Sequence, residues 1–233
     1  MNHFNLINGV LHAEDVALSD IADAVGTPVY VYSRATFERH AQVFRDALSG
    51  LDNPHIAFAV KSNPNLAVLK VLARQGYGAD VVSGGEMDRA LAAGMAAEDI
   101  VFSGVGKTAE EITRALKAGI GQFNIESEEE GRELADIATS LELTAHAVLR
   151  INPDVDAGTH GKISTGKADN KFGVGIHRAA EIYARLSVLP NLHMRGLALH
   201  IGSQLTSLEP LETAFTKVGV LVQLLRSQGH EVT

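Results

Sequence analysis

"DIVFSGVGKTAEEITRALKAGIGQFNIE" (residues 99–126) contains one complete strand–helix–strand unit. Its two ends, "DIVFSG" (99–104) and "GQFNIE" (121–126), are short apolar runs of the length that strands have. The amphipathic "TAEEITRALKAG" (108–119) between them predicts a helix that stops at its glycine, because glycine tolerates the left-handed C-cap conformation. A helix between two buried strands indicates a parallel pair, since parallel strands need a long crossover connection.

The same unit recurs along the chain. The other apolar runs that predict strands are "HIAFAV" (55–60), "ADVV" (79–82), "TAHAVLRI" (144–151) and "MRGLALHI" (194–201). Helices are predicted between strands, among them "NLAVLKVLARQG" (65–76) and "SEEEGRELADIATS" (127–140), where Ser127 and Glu130 have the spacing of a capping box. The strands start about 20 to 25 residues apart, with a longer gap before the sixth. This rhythm predicts an α/β fold with a parallel sheet.

Two architectures share this rhythm. A doubly wound sheet requires a reversal of strand order, which the spacing does not reveal. A (β/α)8 barrel requires eight units, and about six are present, with "VLVQLLRSQGHEVT" (220–233) as a last helix that leads towards a seventh strand. The start of the chain does not repeat, because a helix-like "EDVALSDIADAVG" (14–26) precedes a β-like "PVYVYS" (28–33). We therefore predict an N-terminal segment (1–35) followed by an incomplete barrel (36–233).

The composition restricts the class of protein. The 233 residues carry a formal net charge of −8, which argues against a nucleic-acid-binding protein. There is no cysteine, so disulfides, thiolate catalysis and cysteine metal sites are excluded. The first ten residues lack the pattern of a signal peptide, and no apolar run reaches the about 18 residues of a membrane span. We expect a cytoplasmic protein that binds neither nucleic acid nor a membrane.

Lys61 ends the apolar run of "IAFAVKSNPN" (56–65). A buried unpaired lysine is unfavourable, so one interpretation places this side chain in solvent just beyond a strand. The other makes it a reactive amine, because barrel active sites lie at the carboxyl ends of strands and a desolvated amine there is nucleophilic. The local sequence leaves both open.

Two further strand ends carry polar residues. "LALHIGSQ" (197–204) places His200 and Ser203 after the sixth strand, where backbone N–H groups and a hydroxyl suit a phosphate. "GADVVSGGE" (78–86) places Asp80 inside an apolar run, and a buried carboxylate needs a partner, for which Lys61 and Arg150 are candidates. The Ser-Gly-Gly turn that follows is interpreted first as a helix start with a serine cap.

Other signals are weaker. "SGVGKT" (103–108) fails as a P-loop because Val101 stands where the motif needs glycine. The ten histidines form no HExxH motif, so no metal site is predicted, and the spacing of His193 and His200 predicts opposite faces of a strand. The polar stretch 152–173 is long for a βα loop and is interpreted either as a functional lid or as a surface excursion.

Together these stretches resemble the diaminopimelate decarboxylase family, pyridoxal-phosphate enzymes with a barrel of the alanine racemase type. The resemblance runs from about residue 27 to residue 205 in the family's order. The matching stretches are "AFAVKSNPN", "ADVVSGGE", "FSGVGKT", "NIESEEE", "LRINPDVDAGTHGKISTGKADNKFG" and "LALHIGSQ". The long fifth stretch followed by "HIGSQ" is the specific part, whereas Lys-x-Asn alone is weak.

The resemblance implies a cofactor, pyridoxal 5'-phosphate, and a role for each residue. Lys61 is the residue to which the cofactor is covalently attached, with Asp80 beside that linkage and Arg150 in the same polar cluster. His200 stacks on the pyridine ring, and Ser203 helps to hold the phosphate. Lys61 and His200 are thus the implied catalytic residues. The "KFG" stretch (171–173) is implied to lie near a dimer interface.

The implied reaction is the decarboxylation of meso-diaminopimelate to L-lysine and CO2 by a homodimer. The family's glycine-rich phosphate loop and its "EPGR" and "CESGD" segments are not found in the sequence. The chain therefore resembles an N-terminal portion, and we expect it to be inactive and poorly soluble alone. The alternatives are a decarboxylase for ornithine, arginine or a carboxylated polyamine, a small non-catalytic barrel that binds pyridoxal phosphate, and a metabolic barrel with no cofactor.

Overall fold

The structure is a computed structural model that describes residues 2–155, 172–203 and 205–232. Three short antiparallel strands and one helix form its N-terminal part. These are β1 (Phe4–Ile7), β2 (Val10–Ala13), β3 (Val16–Ala17) and α1 (Leu18–Val25). The Glu14 carboxylate ties this part to the next helix, because it accepts hydrogen bonds from Ser33 Oγ (2.7 Å) and the backbone N–H of Ala35 (2.8 Å). These hydrogen bonds, led by that of Ala35, lower the pKa of Glu14.

Strands and helices then alternate. The strands are β4 (Ala57–Ala59), β5 (Gly78–Val81), β6 (Ile100–Phe102), β7 (Gln122–Ile125), β8 (Ala145–Asn152), β9 (Val174–Gly175) and β10 (Leu192–Leu199). The helices are α2 (Arg34–Ala47), α3 (Leu66–Arg74), α4 (Gly84–Ala92), α5 (Ala109–Ala118), α6 (Glu128–Ser140), α7 (Ile176–Leu186) and α8 (Glu209–Ser227). Short 3-10 helices lie at Val60–Ser62 and Ala97–Asp99. All six predicted strands are present, each with ends shifted by a few residues.

The strand order distinguishes the two predicted architectures. The parallel sheet runs β4-β5-β6-β7-β8-β10, and the two-residue β9 pairs with the end of β8. Each main strand thus lies beside the next one along the chain, with a helix between them. This order has no reversal, so the sheet winds as a barrel does rather than as a doubly wound sheet.

The helices pack against one face of this sheet. Alternate strand residues, such as Ala79, Phe102 and Phe123, are at most 1% exposed and belong to one apolar core with the helices. The ring centroids of Phe102 and Phe123 lie 6.3 Å apart in a stacked pair. Because side chains alternate along a strand, this packing turns the intervening residues towards the concave face. Those residues are polar at several positions, and they form the candidate site.

Predicted capping residues lie at the observed helix ends. Gly119 has the left-handed conformation (φ 74°) after α5, and the Ser83 side chain accepts a hydrogen bond from the N–H of Glu86, as its interpretation as a cap requires. Ser127 caps α6 through the N–H of Glu130. The other half of the predicted capping box, a hydrogen bond from the N–H of Ser127 to the Glu130 carboxylate, is wrong. That carboxylate accepts from the N–H of Glu126 (2.8 Å) instead.

Two predictions about the N-terminal segment are wrong. The β-like stretch 28–33 forms no strand, since no neighbouring strand among the described residues pairs with it, and Tyr30 is 88% exposed. The helix predicted over 14–26 begins at Leu18, because Val16 and Ala17 pair with β2. The boundary predicted between residues 35 and 36 falls inside α2 and stays a prediction.

No helix in the described part of the chain has the length and apolar character needed to cross a membrane.

Candidate active site

Lys61 lies on the short 3-10 helix that follows β4. The strand is three residues long, and Ser62 Oγ donates to the carbonyl of Ala59 (2.7 Å), which bends the chain at once. Val60 is fully buried, whereas Lys61 is exposed. Asn65 then caps α3 by accepting the N–H of Ala67 (2.8 Å). A buried residue on one side and a helix start on the other thus fix the backbone of a lysine whose side chain is accessible.

Asp80 is half-buried on the concave face of β5, in register with β6. Its Oδ1 accepts a short hydrogen bond from the hydroxyl of Ser103, which follows β6. Ser103 in turn accepts from Asn124 Nδ2 on β7 (2.8 Å). Among the described residues, the hydrogen bond to Asp80 therefore comes from Ser103 and not from the predicted candidates Lys61 and Arg150. The sequence reasoning missed Ser103 and Asn124, although strand alternation places both on the face of Asp80.

Arg150, near the end of β8, is held on several sides. Its Nη1 pairs with Glu126 Oε1 (2.9 Å), and both side chains are nearly buried, at 13% and 4% exposed. The guanidinium carbon also lies 5.3 Å from the centre of the Phe172 ring. Gly173 follows with φ 74°, and a Cβ there would lie 2.9 Å from the carbonyl oxygen of Arg150. Close contact with Phe172 and Gly173 thus fixes the arginine.

His200 follows β10 and is coupled electrostatically to the residues above. Burial lowers its pKa although the residue remains accessible to solvent, and the positive charges of Arg150 and Lys61 lower it further. The negative charge of Asp80 opposes them. The next residue, Ile201, is 2% exposed and packs with Val155 and Ala214, which fixes the exit of the strand. Ser203 lies two residues on and is exposed.

The structure thus gathers four predicted residues at one edge of the sheet. Lys61 and His200 follow β4 and β10, and Asp80 and Arg150 lie in β5 and β8. The charges of Lys61, Arg150 and Asp80 all affect the pKa of His200. Ser203 lies at the same edge. Residues 156–171 lie outside the described residues, so the predicted lid and Lys171 of the "KFG" stretch are not tested.

Three nearly buried polar atoms at this edge have no hydrogen-bond partner among the described residues. They are Glu126 Oε2, Arg150 Nε and Asn152 Oδ1. Asn152 is 2% exposed, and its amide nitrogen is used, at 2.5 Å from the carbonyl oxygen of Phe172. Buried polar groups are normally paired, so unpaired ones in a cluster indicate a place where a polar ligand or water binds.

Lys107 is another residue that the sequence reasoning missed. Its side chain is 2% exposed, and the amine donates to the carbonyls of Gly104 (2.6 Å) and Asn124 (2.8 Å). It also pairs with Glu130 Oε1 at 2.6 Å. The three contacts join the loop after β6 to β7 and α6. The lysine of "SGVGKT" is therefore a structural clamp in this fold.

The parallel sheet winds as a barrel does, and an accessible lysine, Lys61, follows β4, the first strand of this sheet. The chain matches the protein family described as "Pyridoxal-dependent decarboxylase, pyridoxal binding domain" over residues 34–233. It belongs to this family. The family is pyridoxal-dependent, so the predicted cofactor is confirmed at that level.

The more specific likeness is to diaminopimelate decarboxylases. The chain is 54% identical over 231 residues to the one from Pseudomonas fluorescens and 51% identical to the one from Zymomonas mobilis, in each case over 98% of this chain and 55% of the relative. The crystal structure of the Helicobacter pylori enzyme, complexed with L-lysine, superposes with a TM-score of 0.88 at 40% identity. That match covers 92% of this chain and 54% of the other. The predicted barrel of the alanine racemase type is confirmed, and the chain spans about half the length of these relatives.

Proposed function

We propose that this chain binds pyridoxal 5'-phosphate through Lys61 and provides the cofactor-binding barrel of a meso-diaminopimelate decarboxylase, which yields L-lysine and CO2. The observation that carries the proposal is the convergence of Lys61, Asp80, Arg150 and His200 at the carboxyl edge of the sheet. The identity to diaminopimelate decarboxylases and the L-lysine bound to a solved relative support the choice of substrate.

The residues present fit this cofactor. The exposed amine of Lys61 supplies the covalent anchor, and Ser203 supplies a hydroxyl for a phosphate. Unpaired buried atoms of Glu126 and Arg150 offer an acceptor and a donor for the polar groups of a ligand. When bound, pyridoxal phosphate supplies an electron sink for the charge that remains after CO2 leaves.

The chain's own residues orient the reacting groups. Since the pKa of His200 is lowered, its imidazole is neutral near neutral pH and presents a flat, uncharged ring beside the cationic Lys61 and Arg150. The Glu126 pair and the Phe172 ring hold the guanidinium in one place, so that its charge is fixed before substrate binds. Rigid placement matters because the bond to the leaving carboxylate must stand perpendicular to the cofactor ring.

The first test concerns the cofactor alone. The 233-residue chain is incubated with pyridoxal phosphate, reduced with borohydride, digested and mapped by mass spectrometry. We expect the reduced adduct on the peptide that contains Lys61, with Lys70, an exposed lysine on α3, as the internal control. An adduct spread over exposed lysines, or no adduct, would contradict the proposed cofactor site.

The second test concerns the substrate. A chimaera joins this chain to the part of the Pseudomonas fluorescens enzyme that lies outside the match, and CO2 release is measured with meso-diaminopimelate, ornithine and arginine. We expect release from meso-diaminopimelate. Preference for ornithine or arginine would favour another decarboxylase, and a Lys61 adduct with no CO2 would favour a non-catalytic barrel. Turnover by the 233-residue chain alone would contradict the expectation that it is inactive by itself.

The assembly and the location are also proposals. The family resemblance supports a homodimer for the whole protein, and the absence of cysteine suits the cytoplasm. Sedimentation of the chimaera tests the first, and we expect one dimeric species. Fractionation of cells that produce the protein tests the second.

A further inference from the structure

A line of hydrogen-bonded side chains leads across the concave face to Asp80. Gln122 Nε2 donates to Asn124 Oδ1 (2.8 Å), and Asn124 Nδ2 donates to Ser103 Oγ (2.8 Å). Ser103 Oγ then donates to Asp80 Oδ1. We call these four side chains the Asp80 relay. It spans β7, β6 and β5 in turn, and three of its four members have no role in the function proposed above.

The chemistry of the end group fixes the direction of every hydrogen bond in the relay. An ionised carboxylate only accepts, so the single hydroxyl proton of Ser103 is used on Asp80. Ser103 must then accept from its other neighbour, which requires the amide nitrogen of Asn124 to face it. The Asn124 oxygen faces the other way and needs the donor that Gln122 provides. Reversing either amide would bring two acceptors together, so the relay has one arrangement.

The fold places the relay with little freedom. Phe102 and Phe123 are in register on neighbouring strands and are at most 1% exposed on the helix side. Ser103 and Asn124 follow them directly, so both point to the concave face. Asp80 is in register with Val101, one strand over. Rotating a strand to release the relay would expose a buried phenylalanine.

We propose that Ser103 and Asn124 are positioning residues that hold the Asp80 carboxylate in one orientation at the edge of the sheet where Lys61 and His200 lie. The inference rests on the proposed function. A carboxylate held by a hydroxyl keeps its negative charge in one place, so that the polar groups of a cofactor attached to Lys61 would meet it without reorganisation. Loss of the relay should therefore weaken cofactor binding.

The test measures the cofactor rather than turnover. The dissociation constant of pyridoxal phosphate is determined by visible absorbance on the chimaera described above. In Ser103→Ala we expect about fivefold to tenfold weaker binding. The pKa of His200, which the negative charge of Asp80 raises, is followed by NMR in the same samples. We expect this pKa to move in Ser103→Ala, because the carboxylate is no longer held in one orientation, whereas a purely structural role would leave it in place.

Matched variants separate chemistry from packing. Ser103→Thr keeps the hydroxyl and is expected to restore the affinity to within about twofold of the parent chimaera, together with the parent pKa of His200. Asn124→Leu, one step further from Asp80, is expected to have the same effect in smaller measure. Ser140→Ala, which removes an exposed hydroxyl that bonds the carbonyl of Ile137 at the end of α6, is expected to change neither.

The outcomes distinguish the two proposals. If the parent chimaera attaches no cofactor to Lys61, the proposed function fails. If the parent chimaera attaches it and Ser103→Ala has the same affinity and the same His200 pKa, the relay has no positioning role. Equal losses in Ser103→Ala and Ser103→Thr would also overturn the inference, because the hydroxyl would then not be the group that matters.

Discussion

Lys61 and Lys107 both follow the carboxyl end of a parallel strand, yet their amines have opposite surroundings. The side chain of Lys107 is 2% exposed, and its amine donates to two carbonyls and to Glu130. Lys61 is exposed, and no hydrogen bond to its amine is found in the part of the chain that the structure describes. An ammonium has three protons to donate, so every donor of Lys107 is used.

The difference shows that a strand-end lysine is not reactive by position alone. A nucleophilic amine must lose a proton and reach a ligand. To react, the buried Lys107 would have to lose three contacts with the protein, whereas the exposed Lys61 would lose contacts with solvent. The sequence marks both residues in the same way, with an apolar strand before and a helix cap soon after.

Substitutions of the two lysines should differ most in their effect on activity. We expect Lys61→Ala to lower CO2 release by the chimaera by more than about a thousandfold, because the covalent anchor is lost. Because the side chain is exposed, the free energy of unfolding of the chain should change by less than about 0.5 kcal/mol. Lys70→Ala serves as control and should keep full activity. A Lys61→Ala enzyme with more than a tenth of the parent activity would remove the distinction.

For stability we expect the opposite, namely a large effect of substituting Lys107 and a small effect of substituting Lys61. Lys107→Met should lower the free energy of unfolding by about 3–5 kcal/mol, because it leaves the Glu130 carboxylate and two carbonyls without their donor. Urea unfolding of the chimaera measures this. Lys107→Met combined with Glu130→Leu should regain part of the loss, since the unpaired charge is gone. A loss below about 1 kcal/mol in the single variant would mean that the clamp contributes little.

A variant beside Arg150 tests whether the contacts that hold this site residue contribute to stability as those of Lys107 do. Gly173→Ala puts a Cβ 2.9 Å from the carbonyl oxygen of Arg150 and 3.1 Å from its Cγ, at a φ of 74°. We expect a loss of about 1–3 kcal/mol in the free energy of unfolding, with weaker binding of pyridoxal phosphate. Gly219→Ala, in α8 with open space around it, should be neutral or stabilising. Unchanged cofactor affinity in Gly173→Ala would show that Arg150 does not depend on this contact.

The sequence predicted the rhythm of the fold and the edge at which the site lies. Six strands, their parallel direction and the positions of Lys61, Asp80, Arg150 and His200 follow from apolar runs, strand ends and the family resemblance. Strand alternation fixes which face a residue occupies. It needs no knowledge of neighbouring strands, and that is why the predicted strands are confirmed, whereas the roles of the four site residues stay predictions.

The pairings could not be predicted in the same way. Asp80 contacts Ser103 rather than Lys61, and Arg150 contacts Glu126, because the stagger between strands decides which side chains meet. The stagger depends on how the strands assemble into the sheet, and the spacing of residues along the sequence does not reveal it. The stretch 28–33 failed for a related reason, since β propensity forms a strand only where another strand offers hydrogen bonds.

The smallest effect expected concerns His200. The positive charge of Lys61 is one of the causes that lower the pKa of His200, after burial and Arg150. Lys61→Ala should therefore raise that pKa slightly, whereas Lys107→Met should leave it unchanged, because Lys107 is not among the groups whose charge affects His200. Titration of the His200 ring protons by NMR measures both.

The sign of the His200 shift also fixes its effect on stability. A histidine whose pKa is depressed in the folded state favours the neutral ring there, so its contribution is present above the ordinary value and is lost as pH falls through the folded pKa. Lys61→Ala should reduce that loss, because one source of repulsion is gone. A pKa of His200 that stays the same or falls in Lys61→Ala would place the two side chains too far apart to share a ligand.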